Sequence, residues 1–146
     1  MAMTLTSPAF TDGGFIPRQF TCDGENVPPP LEWSAGPAGT RSFALTVEDP
    51  DAPRGTFTHW VLYDIPPQAT GWPNEEGGKT LRNSFGRSGY GGPCPPPGKG
   101  AHRYVFSIHA VDVRHLKLEG DRLEDLRAAL ATHALDAGRL VGRYER

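Results

Sequence analysis

Three stretches of this chain alternate apolar and other side chains with the period of a β-strand. In RSFALTVE (41–48), Phe43, Leu45 and Val47 fall on one face, and Asp49 continues that parity. In THWVLYDI (58–65), strict alternation groups His59, Val61, Tyr63 and Ile65 on one face, with Trp60 and Leu62 on the other. In HRYVFSIHAV (102–111), His102, Tyr104, Phe106, Ile108 and Ala110 share a face. Apolar residues occupy both faces of all three, as in central strands covered on both sides. MTLTS near the start predicts an edge strand, and LVGRY near the end predicts a short one.

What joins the strands is unusual. The chain carries 18 glycines and 15 prolines without any period. Both residues oppose helix, and in this number they predict many tight, fixed turns in an all-β domain. They concentrate between 66 and 100, where 35 residues hold nine glycines and seven prolines. A loop of that length is uncommon in a compact domain and usually functional. It is predicted to be pinned, with one short strand near 79–85. One helix is predicted. Asp121 and Glu124 stand three apart as a capping-box start, Leu123, Leu126 and Leu130 form an apolar stripe, and Gly138 is the expected stop. No repeat or linker divides the chain, so residues 1–146 read as a single domain.

With 37% hydrophobic and 22% charged residues the composition is globular rather than disordered. A net charge of -2 gives no electrostatic ground for nucleic acid or an anionic membrane as partner. No apolar run reaches the roughly 18–20 residues of a membrane span, so no stable membrane insertion is expected. MAMTLTSPAF lacks a basic segment followed by a long apolar one, so it does not read as a signal peptide, and a cytoplasmic setting is expected. In that reducing setting Cys22 and Cys94 are expected to be free thiols, with a disulfide as the alternative reading.

The stretch DPDAPRGTFTHW (49–60) ends one strand with two acids and locked turns, then resumes with His-Trp. Asp49, His59 and His102 each stand at the end of an alternating segment. If those ends adjoin, these three and Tyr104 converge at the rim of one core, the usual form of a small-ligand site. The structural alternatives are plain. Asp49 can serve as a turn cap, although Asp51 is the better candidate for that role. His59, His102 and Tyr104 can be hydrogen-bonded core residues. His109, His115 and His133 read as structural or solvent-facing. A hydrolase or transferase using a His/Asp pair is the alternative function, with Cys94 as the one candidate thiolate. Two histidines and a carboxylate match a metal-binding triad in residue type only, at separations that are not diagnostic. GxSxG, HExxH, the phosphate-cradling GxxxxGK[ST] and paired CxxC are absent, so no catalytic residue, metal or cofactor is assigned.

DPDAPRGTFTHW and GYGGPCPPPGKGAHRY, in this order, resemble the phosphatidylethanolamine-binding protein family, in particular its short bacterial and archaeal Raf kinase inhibitor-like members. FTCDGENVPPPLEW, SFALTVEDPDAP, HWVLYDIP and Tyr144 extend the resemblance over the whole chain. It implies two packed antiparallel sheets with one or two peripheral helices, and an anion pocket at one end of the central sheet. By the same resemblance Asp49 is the pocket acid that orients an imidazole. His59 and His102 contact the anion, Tyr104 forms a wall, and the Cys94 backbone amide faces the ligand. The implied ligand is a phosphate, phosphomonoester or similar small anion, held better as pH falls toward the histidine range. A protein kinase or protease is the implied target, and homodimerisation is a further partner expectation.

Overall fold

The alternating segments form the centre of a five-stranded antiparallel sheet in a computed structural model that describes residues 3–146. Strands β1 (Leu5–Thr6), β2 (Leu31–Trp33) and β5 (Gly71–Trp72) make a small antiparallel sheet in the order β1-β2-β5. Strands β3 (Ser42–Asp49), β4 (Phe57–Ile65), β6 (Lys79–Thr80), β7 (His102–Val111) and β8 (Ala134–Tyr144) make the large one, in the order β6-β4-β3-β7-β8. The expected edge strand is β1, and the short strand expected near 79–85 is β6.

The main core lies between the sheets. Phe43, Leu45 and Val47 of β3 and Tyr104, Phe106 and Ile108 of β7 point the same way and pack with Leu5, Leu31 and Trp33 of the small sheet. The opposite face of the large sheet holds a second, smaller core. There Ala44, Val61 and Val111 meet Leu123 and Leu126 of the helix α1 (Leu123–His133). Both faces of the central strands are therefore covered at this end, which is why all three read as apolar on both sides.

The helix begins one residue later than its sequence signals suggest. The Asp125 carboxylate accepts from the Arg122 backbone N–H at 3.0 Å, in place of an Asp121/Glu124 pair. It ends at His133, whose Nδ1 bonds the Asp112 carboxylate at 2.8 Å, and the chain passes directly into β8. Gly138 is therefore not the helix stop. It lies inside β8, where a Cβ would collide with the Met3 carbonyl oxygen, so its role is close approach of two backbones. The expected short final strand is an eleven-residue strand paired with β7 along its length.

The glycine- and proline-rich segment is pinned by side chains. Buried Asn83 donates to the Gly89 carbonyl and accepts from the Phe85 and Arg87 N–H groups. Tyr90 donates to the Phe20 carbonyl at 2.6 Å. The expectation of free thiols fails here. Cys22 and Cys94 are joined in a disulfide that ties the TCDG turn to the GPCPP loop, and the adjacent Cys22 N–H bonds the Pro93 carbonyl. Side-chain periodicity carries no information about which turns meet, so sequence spacing left the pairing open.

Candidate functional site

Asp49 closes β3 and His102 opens β7, two neighbouring antiparallel strands, so the strand ends do adjoin. The His102 Nδ1–H donates to Asp49 Oδ2 at 2.7 Å, with both residues buried. The other Asp49 oxygen accepts from the Asp51 N–H at 2.8 Å. One carboxylate thus caps the turn and orients an imidazole, joining the two roles that had been alternatives. Asp51 does not cap the turn. It forms a two-pronged ion pair with Arg103 and also accepts the Arg103 backbone N–H. The Arg103 guanidinium hydrogen bonds hold the Asp51 carboxyl down to about 2. The pair fastens the 49–53 turn to β7 beside His102.

His59 reaches the site through a break in alternation. Val47 pairs with Trp60, but Glu48 pairs with Thr58, leaving His59 as one extra residue on β4. Without that β-bulge His59 would oppose Glu48 on the helix-bearing face. With it, His59 turns to the inner face and packs edge-on against Tyr104, with ring centroids 5.2 Å apart. A second irregularity, at Asp64 with φ 54°, returns Ile65 to the inner face. The face grouping expected from strict alternation is corrected accordingly: His59, Trp60, Leu62 and Ile65 face inward, Val61 and Tyr63 outward.

The His59 ring is fixed by backbone. Its Nδ1–H donates to the Gly91 carbonyl at 2.6 Å, since a carbonyl can only accept. A Cβ on Gly91 would enter the Phe85 ring, so glycine is needed for this approach. Phe85 and Phe57 flank the imidazole at centroid separations of 5.5 and 5.0 Å. Burial pushes the His59 pKa below its ordinary 6.5, against the opposing pull of the Gly91 bond and the Asp49 charge. The folded state therefore resists a proton that the unfolded chain accepts below about pH 6.5. Stability on this account is full above that pH and falls as pH drops through the unfolded pKa toward the folded one. Urea unfolding of wild type and His59→Gln between pH 7 and 5 checks this, and the wild type is expected to lose more over that interval.

Asp49, His59, Cys94, His102 and Tyr104 line one cleft of about 200 Å³, together with Pro53, Phe57, Phe85 and Pro95. Both Nδ1 atoms are committed, and among the described residues neither Nε2 has a protein partner. The Tyr104 hydroxyl is the one buried side-chain polar atom among the described residues without a hydrogen bond. Desolvation holds that phenol protonated far above its ordinary range, so it remains a donor. In the run Pro93 to Pro97 only Cys94 has a backbone N–H, and among the described residues no acceptor meets it. The Cys94 sulfur is in the disulfide and is removed as a candidate thiolate nucleophile. No group of three or more His, Cys, Asp or Glu side chains among the described residues is arranged to hold a metal ion. Sequence reasoning missed Phe57, Phe85 and Gly91. Their signal was the bulge and the glycine clash, neither visible without coordinates.

Two packed antiparallel sheets ending in this Asp/His/His/Tyr cleft define a class. The family model for phosphatidylethanolamine-binding protein matches residues 6–145, and the chain belongs to that family. A UPF0098 protein of Methanothermobacter thermautotrophicus is 43% identical, covering 99% of each chain. A UPF0098 protein of Aquifex aeolicus is also 43% identical, over 99% of this chain and 89% of its own. The crystal structure of a phosphatidylethanolamine-binding protein homologue from Chlamydia trachomatis superposes with a TM-score of 0.91 at 37% identity, covering 99% of this chain and 98% of that one. E. coli YbcL, described as a new member of the mammalian PEBP family, superposes with a TM-score of 0.90 at 29% identity, covering 100% of this chain and 99% of its own.

Proposed function

We propose that the cleft binds a small oxyanion, a phosphate or phosphomonoester. The observation that carries this reading is the pair of buried imidazoles, each anchored through Nδ1 and each leaving Nε2 open to the same cleft. An oxyanion would accept from the two Nε2–H groups, the Tyr104 hydroxyl and the Cys94 N–H, all of which lack acceptors among the described residues. Charge-assisted bonds of this kind are about twice as strong as neutral ones. The apolar rim of Phe57, Phe85, Pro53 and Pro95 would exclude water and accept the organic part of an ester. No serine, threonine or free cysteine lines the cleft, which supports binding over covalent chemistry. A phosphorylated side chain on a kinase or protease presents the same phosphomonoester, so a regulatory target of that kind rests on the same site.

Neutral His59 carries its proton on Nδ1, so its Nε2 gains a donor only by protonation. Anion binding is then coupled to proton uptake, and affinity should rise as pH falls from 8 toward 6. NMR titration with inorganic phosphate is expected to move the His59 and His102 imidazole signals together and saturably. His102→Ala should weaken binding about tenfold or more. Imidazole signals that ignore both phosphate and phosphoserine would remove this reading. Comparing phosphoethanolamine with a phosphoserine peptide separates a headgroup ligand from a protein one.

A further inference from the structure

The face of the large sheet opposite the anion cleft is only partly covered. Helix α1 packs over one end, against Ala44, Val61 and Val111. Beyond it lies an open groove of about 580 Å³ between α1, β3, β7 and β8. That volume falls in the usual range for organic ligands, roughly 300–1,000 Å³, whereas the anion cleft falls below it.

The sheet register arranges polar groups on the groove floor. Thr46 of β3 pairs with Ser107 of β7, and Ser107 pairs with Arg139 of β8, so the three form one row across the sheet. His109 stands in the adjacent row, between Ala44 and Ala137. None of these four side chains has a protein hydrogen-bond partner among the described residues. From the helix, Arg127 reaches down to an ion pair with Glu48, which neutralises both. Among the described residues lining the groove, Arg139 is left as the uncompensated charge. Burial and the Arg127 charge both push the His109 pKa down, which keeps it a neutral donor and acceptor. The walls are apolar, from Val105, Leu123, Leu130 and Ala137.

We propose that this groove is a second ligand site, for an amphipathic small molecule bearing one carboxylate. The carboxylate lies on the Thr46–Ser107–Arg139 row, and its apolar body lies between α1 and β7. A guanidinium accepts a carboxylate in a planar two-bond arrangement, and flanking hydroxyls donate to the remaining lone pairs. The apolar walls fit a hydrocarbon body and add contacts that a free phosphate, held by the exposed polar row alone, would lack, so the groove favours the amphipathic carboxylate.

Sodium octanoate and 1-octanol are the probes, read by amide NMR on the full chain. Octanoate is expected to shift Ser107, His109 and Arg139 saturably, while inorganic phosphate leaves them in place. Octanol should bind at least several-fold more weakly. Arg139→Ala, an exposed position that can change without unfolding the chain, should weaken octanoate about tenfold. His102→Ala should leave octanoate binding unchanged, which separates this site from the anion cleft. Absence of a saturable shift up to about 10 mM octanoate overturns the proposal. So does equal affinity of wild type and Arg139→Ala, or of octanoate and octanol.

Discussion

Replacing Cys22 and Cys94 with serine is expected to lower the unfolding free energy by about 4 kcal/mol. The bond closes a loop of 72 residues. In the chain-entropy account a loop of that length removes about 4 kcal/mol of freedom from the unfolded state. The native state contributes as well. Cys94 lies on the cleft, and the bond holds its loop against the turn that carries Asp23. Asp23 in turn accepts from the Tyr144 hydroxyl at 2.6 Å and pairs with Arg146 at 3.3 Å. For a domain of this size the midpoint of thermal unfolding should fall by roughly 10–15 °C. Calorimetry of the double variant, with wild type under dithiothreitol beside it, checks the figure. A drop of only a degree or two in both would mean that the neighbouring hydrogen bonds hold the loop without the covalent tie.

The second large effect is at Asp49. Asp49→Ala strips His102 of its buried acceptor and the 49–53 turn of its cap in one change. Breaking a buried pair by removing one partner costs about 3 kcal/mol. Phosphate affinity should fall about tenfold, because His102 loses the bond that fixes its Nδ1–H and aims its Nε2. Asp49→Asn divides the two effects. An amide keeps one acceptor oxygen, enough for the turn, but its NH2 cannot accept from the imidazole. It is expected to be more stable than the alanine variant and nearly as poor at binding phosphate. Equal phosphate affinity in wild type and Asp49→Asn would show that the carboxylate serves folding alone.

Strand positions were legible because both cores obey the pleat. Phe43, Leu45 and Val47 on β3 and the even-numbered residues from His102 to Ala110 on β7 face where alternation puts them. The same parity carried Asp49 and His102 to one end of one face, so half of the cleft followed from counting by twos. The other half did not. His59 reaches the cleft only because β4 gains a residue opposite Val47 and Glu48, and a bulge leaves no mark in the local apolar pattern. The helix start slipped by one residue because Asp121, Glu124 and Asp125 are all acceptable caps, and only the backbone path chooses among them. Gly138 read as a stop because close backbone approach and helix termination call for the same residue type. The pairing of Cys22 with Cys94 depends on which two turns meet, which no periodicity encodes.

The bulge at His59 has a consequence for how such a site can change. The two faces of the large sheet carry different chemistry, a cleft on one side and the helix-side groove on the other. One supernumerary residue decides which of them receives the imidazole. Excising Thr58 would restore even pairing and send His59 outward to sit beside Glu48, with every other strand untouched. Length, rather than residue identity, is then the variable that assigns this histidine to a face. Among chains built on this sheet, a single-codon deletion in β4 can dismantle the cleft while leaving Asp49, His59, Cys94, His102 and Tyr104 all in the sequence.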